Sequence, residues 1–171
     1  MTNSTLQTNP SLSKQGKYLT FAMGKEEYGL EILKVREIIG YMNITPVPRV
    51  PNYIKGVINL RGQVIPVIDL RTKLDMEECE ITDQTCIIVV EAQQTQSQFT
   101  AGIIVDHVQE VLDIEAESID ETLSFGSSVN LNMILGMAKI GNSVKIILDI
   151  DRVLADAEMS EAISDIKQTI E

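Results

Sequence analysis

Apolar and polar residues alternate through much of this chain, and they do so twice in the same order. In "YLTFAM", Leu19, Phe21 and Met23 fall on one face, while Tyr18, Thr20 and Ala22 fall on the other. That period of two marks a strand. "GKEE" reads as a turn and "YGLEI" as a second strand. "LKVREII" fits a helix face through Val35, Ile38 and Ile39, or a strand with Val35, Glu37 and Ile39 pointing one way. A strand after a short turn is the favoured reading. "ITPVPRVPN" carries three prolines, which excludes a central strand or a helix interior and predicts a surface connection. "NYIK" is expected to form one helical turn ended by Gly56. Then "VINL", a turn at Arg61-Gly62 and "VIPVI" predict a hairpin, followed by a helix capped by Asp69. The acidic "DMEECEITD" reads as a linker.

The second half repeats the plan. "TCIIVVEA" is a strongly apolar strand, "QQTQSQ" a turn, "FTAGIIV" a strand and "VQEVL" another. "DIEAESIDET" has room for a helical turn, and "LSFGSSVNLN" is a loop. "MILGMAKI", a Gly141-Asn142 turn and "VKIIL" predict a hairpin. Asp149 or Asp151 then caps a helix running to about Glu158. Ile163, Ile166 and Ile170 give a final amphipathic helix from near Ser160.

The two halves can be laid over each other. At an offset of 80, Gly56 matches Gly136, Val64 matches Val144, Val67 matches Ile147, Asp69 matches Asp149 and Leu74 matches Leu154. At an offset of 73, "YGLEILKVREII" lies over "AGIIVDHVQEVL", pairing Gly29 with Gly102, Val35 with Val108 and Glu37 with Glu110. "YLTFAM" parallels "IIVVEA". Three matches in one order, with glycines and acids in register, indicate an internal duplication. Each half holds about five short strands, too few to bury much apolar surface alone. Two such units sharing an aliphatic layer solve that problem and leave two similar outer faces.

Composition narrows the function. Of 171 residues, 44% are hydrophobic but only 4% aromatic, with no Trp, so the core is aliphatic. A net charge of −11 with no basic cluster argues against nucleic acid and against anionic membrane surfaces. Cys79 and Cys86 form no CxxC pair and read as reduced thiols. The first residues are polar, and no apolar run approaches the roughly 20 needed to span a bilayer, so the expected compartment is the cytosol.

Reactive chemistry is sparse. His107 is the single histidine and aligns with Lys34, which suggests a strand position rather than a catalytic base. The Cys and His residues lack zinc spacing, and no phosphate-cradling glycine loop is present, so neither metal nor cofactor is expected. Asp69 and Asp149, one acid per half, allow an alternative: a duplicated β-barrel hydrolase sharing a proton between them. Helix capping accounts for both. Arg61 stands where the other half has Gly141, a position that turns reserve for Gly or Asn, so it is expected to project outward.

The strings "EEYGLEILKVREI" and "PNYIKGVINLRGQVIPVIDLR" resemble the CheW-like family of chemotaxis coupling proteins, over Lys17 to about Glu158. "IKGVINLRG" and "IPVIDL" are specific to it. The family also includes the regulatory domain of the chemotaxis histidine kinase, and the short length favours a stand-alone adaptor. The resemblance implies a mainly β fold of two pseudo-symmetric, intertwined five-stranded SH3-like barrels with short helices. The boundaries it suggests are a tail over 1–16, a first barrel over about 17–78, a second over about 79–150, and a C-terminal helix over 159–171. Whether strands exchange between the barrels is left open. It implies a non-catalytic, cytoplasmic adaptor without cofactor that couples methyl-accepting chemoreceptor tips to the kinase regulatory domain in membrane-associated arrays. Self-association into array rings fits the same picture, and direct membrane insertion does not.

By position, Leu19, Ile32 and Val35 match the family's kinase-facing surface. Glu37, Gly56 and Arg61 match positions of receptor or kinase coupling. Ile87, Ile88 and Val105 fall in second-half strands near the groove between lobes and are carried over as receptor-binding. For each apolar residue in these sets, burial in the core is the competing reading.

Overall fold

The structure is a computed structural model and describes residues 16–77, 79–94, 97–120 and 133–155. The expected tail up to residue 15, the loop over 123–132 and the C-terminal helix from 159 lie outside the described residues.

The first half forms β1 (Gly16–Met23), β2 (Glu26–Glu31), a 3-10 turn (Ile32–Lys34), β3 (Val35–Gly40), β4 (Ile54–Leu60), β5 (Gln63–Asp69) and a short helix α1 (Leu70–Lys73). The second half repeats this as β6 (Cys86–Gln94), β7 (Ser97–Val105), β8 (His107–Ile114), β10 (Ile134–Ile140), β11 (Ser143–Leu148) and α2 (Ile150–Val153). A 3-10 turn (Ala116–Ser118) and a two-residue β9 (Ile119–Asp120) are added before β10. "LKVREII" is thus a turn and a strand, with the alternating exposure expected of Val35, Glu37 and Ile39. "NYIK" is not a helical turn. β4 already begins at Ile54, and Gly56 sits at a shift of register between β4 and β5, a bulge in place of a helix end.

Among the described residues eleven strands form two sheets, ordered β8-β1-β2-β11-β10-β9 and β3-β6-β7-β5-β4. Replacing each strand of the first by its counterpart in the other half gives the second, apart from β9. The duplication is therefore structural, and the halves have exchanged their leading hairpins. β1 and β2 join the sheet of β10 and β11, while β6 and β7 join that of β4 and β5. The five-stranded sheet takes one contiguous stretch, β3 to β7, and the six-stranded sheet joins β1 and β2 to β8 through β11, so a boundary near residue 78 cuts across both. The exchange is sealed by two parallel pairings in equivalent register, Val67 with Gly102 and Ile147 with Gly29. Close approach explains the matched glycines. A Cβ on Gly102 would lie 2.7 Å from Ile87, and one on Gly29 would lie 2.9 Å from Ile147.

Three apolar clusters follow from this arrangement. Tyr18, Ile114, Ala138 and Ile147 fill one sheet's own interior. Ile58, Ile65, Val67, Ile87 and Val89 fill the other's. Leu19, Phe21, Met23, Leu30, Ile88, Val90, Ile103 and Val105 belong to a third and largest cluster, drawn from both sheets. β6 is buried on both faces, which is why "IIVV" reads as an unbroken apolar run instead of an alternation. Each fully buried Ile or Leu contributes roughly 1.5–3 kcal/mol, and the shared layer buries residues of both sheets against each other.

Candidate functional site

β3 and β4 are the two ends of the five-stranded sheet. Their side chains nonetheless meet: the Arg61 guanidinium, at the tip of the β4–β5 turn, donates to the Glu37 carboxylate on β3. The sheet therefore curls until its edges approach. The local sequence makes the turn tight. Arg61 has φ 52° and Gly62 φ 88°, two left-handed residues in a row as a type I′ hairpin requires. The Asn59 side-chain oxygen accepts from the Gly62 amide at 2.8 Å and locks the turn. Arg61 carries backbone strain there of about 1–2 kcal/mol that glycine would not. The Arg61 side chain is 70% exposed and that of Glu37 26%, so the pair is a surface feature with the cation outward.

Gly56 is a buried residue of β4, the strand that leads into this turn. Its φ is 146°, and a Cβ would sit 2.0 Å from the Thr45 carbonyl oxygen. Thr45 and Val57 exchange two backbone hydrogen bonds of 2.9 Å, so the proline-rich connection is stitched along the outer edge of β4. Gly56 permits that contact and reaches no surface of its own.

The apolar residues divide sharply. Leu19 is 2% exposed, and Ile87, Ile88 and Val105 are fully buried. Leu19, Ile88 and Val105 belong to the shared layer, and Ile87 to the interior of one sheet. Their side chains cannot touch a partner without unfolding, so the core reading replaces direct contact for all four. Ile32 and Val35 are half-buried, with one side packed on the shared layer. Between them stands Leu33, 91% exposed, which the sequence reading passed over. Ile38 and Val111, equivalent positions on the free edge strands β3 and β8, are 42% and 47% exposed.

Asp69 and Asp149 each cap their own helix. Asp69 accepts from the Arg71 amide at 3.0 Å, and Asp149 from the amides of Asp151 and Arg152 at 3.1 and 3.3 Å. Both carboxylates are committed to helix starts, and the shared-proton hydrolase has no geometric support. Among the described residues no cluster of His, Cys, Asp or Glu is arranged to hold a metal ion. Cys79 and Cys86 are free thiols.

Two ion pairs that the sequence reading did not single out cross between the sheets. Arg71 on α1 grips Asp106, in the β7–β8 link, with both Nε and Nη2, and the Gly24 amide donates to the same carboxylate at 2.8 Å. Burial pushes the Asp106 carboxyl up, but Arg71 and the Gly24 amide outweigh it and hold the group below the usual aspartate range. The hydrogen bond to Asp106 likewise raises the Arg71 guanidinium. In the other half Lys34 donates to Asp151 at 2.8 Å, which raises the lysine, and the Gln93 amide donates to Asp151 at 2.8 Å. Their signal in sequence is the one charge reversal in a matched repeat, Arg71 against Asp151 at the offset of 80.

The family model described as a CheW-like domain matches residues 17–158. The chain is 38% identical over 144 residues to the chemotaxis protein CheW of Klebsiella aerogenes, covering 84% of each. It is 36% identical over 152 residues to that of Bacillus subtilis, covering 87% of this chain and 93% of the other. Among solved structures it is similar to the scaffolding protein TtCheW of Thermoanaerobacter tengcongensis, with a TM-score of 0.74 and 32% identity. That match covers 84% of this chain and 95% of the other.

Proposed function

Because the chain belongs to the CheW-like family of non-catalytic chemotaxis adaptors, we propose that it couples chemoreceptor cytoplasmic tips to the chemotaxis histidine kinase, in the cytoplasm at membrane receptor arrays. The observation that carries this is the family match over residues 17–158, which takes in every described strand but for Gly16, the first residue of β1. No helix among the described residues is long and apolar enough to cross a membrane.

In this reading the kinase regulatory domain docks on the link between β2 and β3. Leu33, Ile32 and Val35 supply the apolar contact, and Leu19 supports them from the shared layer. Arg61 is the receptor-facing anchor. Its guanidinium suits a carboxylate on the partner, since a planar fork pairs with two oxygens at once. Glu37 holds that fork until a partner carboxylate competes for it, and Gly56 lets the proline-rich connection pack against β4 beneath it. Ile87, Ile88 and Val105 act only by keeping the two sheets together.

Signalling would run through population bias. Receptor and kinase each bind two arrangements of the assembly with different affinity, and each shifts the other's preference by the same factor. Co-sedimentation with receptor-bearing vesicles, with kinase, and with both together tests the proposal. Recruitment of kinase to vesicles only when this protein is present supports it. Failure to bind either partner alone or together refutes it.

A further inference from the structure

The two ion pairs that cross between the sheets occupy equivalent places but differ in polarity and in strength. Each joins the short helix after the last strand of one half to the link between the second and third strands of the other. Arg71 and Asp151 correspond at the offset of 80, and the amide donors Gly24 and Gln93 correspond at the offset of 69 used by β1 and β6. In the first clasp the helix brings the cation and the link the anion. In the second the helix brings the anion and the link the cation.

We propose that these clasps are unequal latches on the interface between the sheets, and that the Lys34–Asp151 latch releases first. Three observations lead there. The Arg71 and Asp106 side chains are 11% and 29% exposed, against 29% and 30% for Lys34 and Asp151, so the pairs differ at the cation. Arg71 engages Asp106 through two nitrogens and donates a further bond to the Glu77 carbonyl at 2.6 Å, so its fork is fixed on three acceptors. Lys34 makes one bond to Asp151. A guanidinium fork is pre-organised for such contacts, while an ammonium on a flexible stem gives up more freedom for each bond it forms. Water screens the more exposed pair more strongly.

The asymmetry has a direction. The link that Lys34 secures also carries Ile32, packed on the shared layer, and Leu33, exposed to solvent. When that latch opens, the exposed and the core-packed residue move on one segment. The opposite side, held by Arg71 and Asp106, acts as the hinge. The latch is a property of the isolated chain and holds whether or not the coupling role is correct.

Backbone amide exchange reads both latches in the free protein, because each carboxylate accepts one amide hydrogen. After correction for intrinsic chemistry, the Gln93 amide is expected to exchange at least about tenfold faster than that of Gly24. Lys34→Gln should speed Gln93 several-fold and leave Gly24 unchanged, and added salt should act the same way. Equal protection of the two amides, slower exchange at Gln93, or acceleration of both amides together in Lys34→Gln would each overturn the assignment.

Discussion

Glu37 lies on β3 and Arg61 in the turn that follows β4, the strands at opposite ends of one sheet's order, and their ion pair marks where that sheet curls back on itself. The contact is made by a residue whose backbone would be more comfortable as glycine. An arginine kept in a left-handed turn, mostly exposed, has its side chain and not its backbone as the reason for being there.

Arg61→Gly separates those two roles. Strain relief of about 1–2 kcal/mol opposes loss of a pair that, at this exposure, contributes less than about 1 kcal/mol. Thermal unfolding should therefore stay level or rise slightly, while receptor coupling falls. Melting curves and receptor co-sedimentation on the same preparation check this. A clear drop in melting temperature would show that the pair is structural.

The duplication was legible because matched glycines and acids survive at fixed offsets, and the same offsets govern sheet register: Val67 with Gly102 and Ile147 with Gly29 are one contact made twice. The exchange of hairpins was not legible. A duplicated sequence satisfies the same local pairings whether β1 and β2 join β4 and β5 or their copies β10 and β11, so periodicity cannot choose. Arg61 was visible because its turn demanded another residue. Leu33 was not, because one exposed apolar residue between Ile32 and Val35 looks like one more core position until the 3-10 turn rotates it outward. Ile87 and Ile88 show the converse. Adjacent residues on a strand point to opposite faces, and only the presence of a second sheet buries both.

Leu33→Asp tests the proposed kinase face better than any change at Leu19 or Ile88. Its side chain is 91% exposed, so the melting temperature should move little. Kinase pull-down should weaken, by tenfold or more if Leu33 is an anchor worth about 2 kcal/mol. Full retention of binding would place the kinase face elsewhere. By contrast Ile88→Ala should lower stability by about 2–5 kcal/mol, and any coupling defect there would follow from unfolding.

Gly56→Ala should be destabilising although it adds one methyl group. The new Cβ would collide with the Thr45 carbonyl 2.0 Å away and with Ile44 at 2.9 Å, on a backbone at φ 146° that side chains rarely adopt. A loss on the order of 2–4 kcal/mol is expected, read as a lower urea midpoint. Faster exchange at the Thr45 and Val57 amides should accompany it, since these two hydrogen bonds hold the connection to β4.

Asp106 makes stability depend on pH in a predictable direction. Its folded carboxyl is held below the ordinary 3.8 by Arg71 and the Gly24 amide, which outweigh the effect of burial. The unfolded chain therefore binds this proton more readily than the folded one, and stability rises with pH wherever that difference operates. The contribution is fully present above the unfolded value and is lost as pH falls through 3.8 and below. Asp106→Asn removes the titrating group, so its urea midpoint should lie below the parent's near neutrality and approach it as pH is lowered from about 5 to about 2. Because the carboxylate bridges α1 and the β1–β2 turn, the variant should also release the Gly24 amide, and parallel midpoint curves for the two proteins would show that the pair adds nothing to the interface between the sheets.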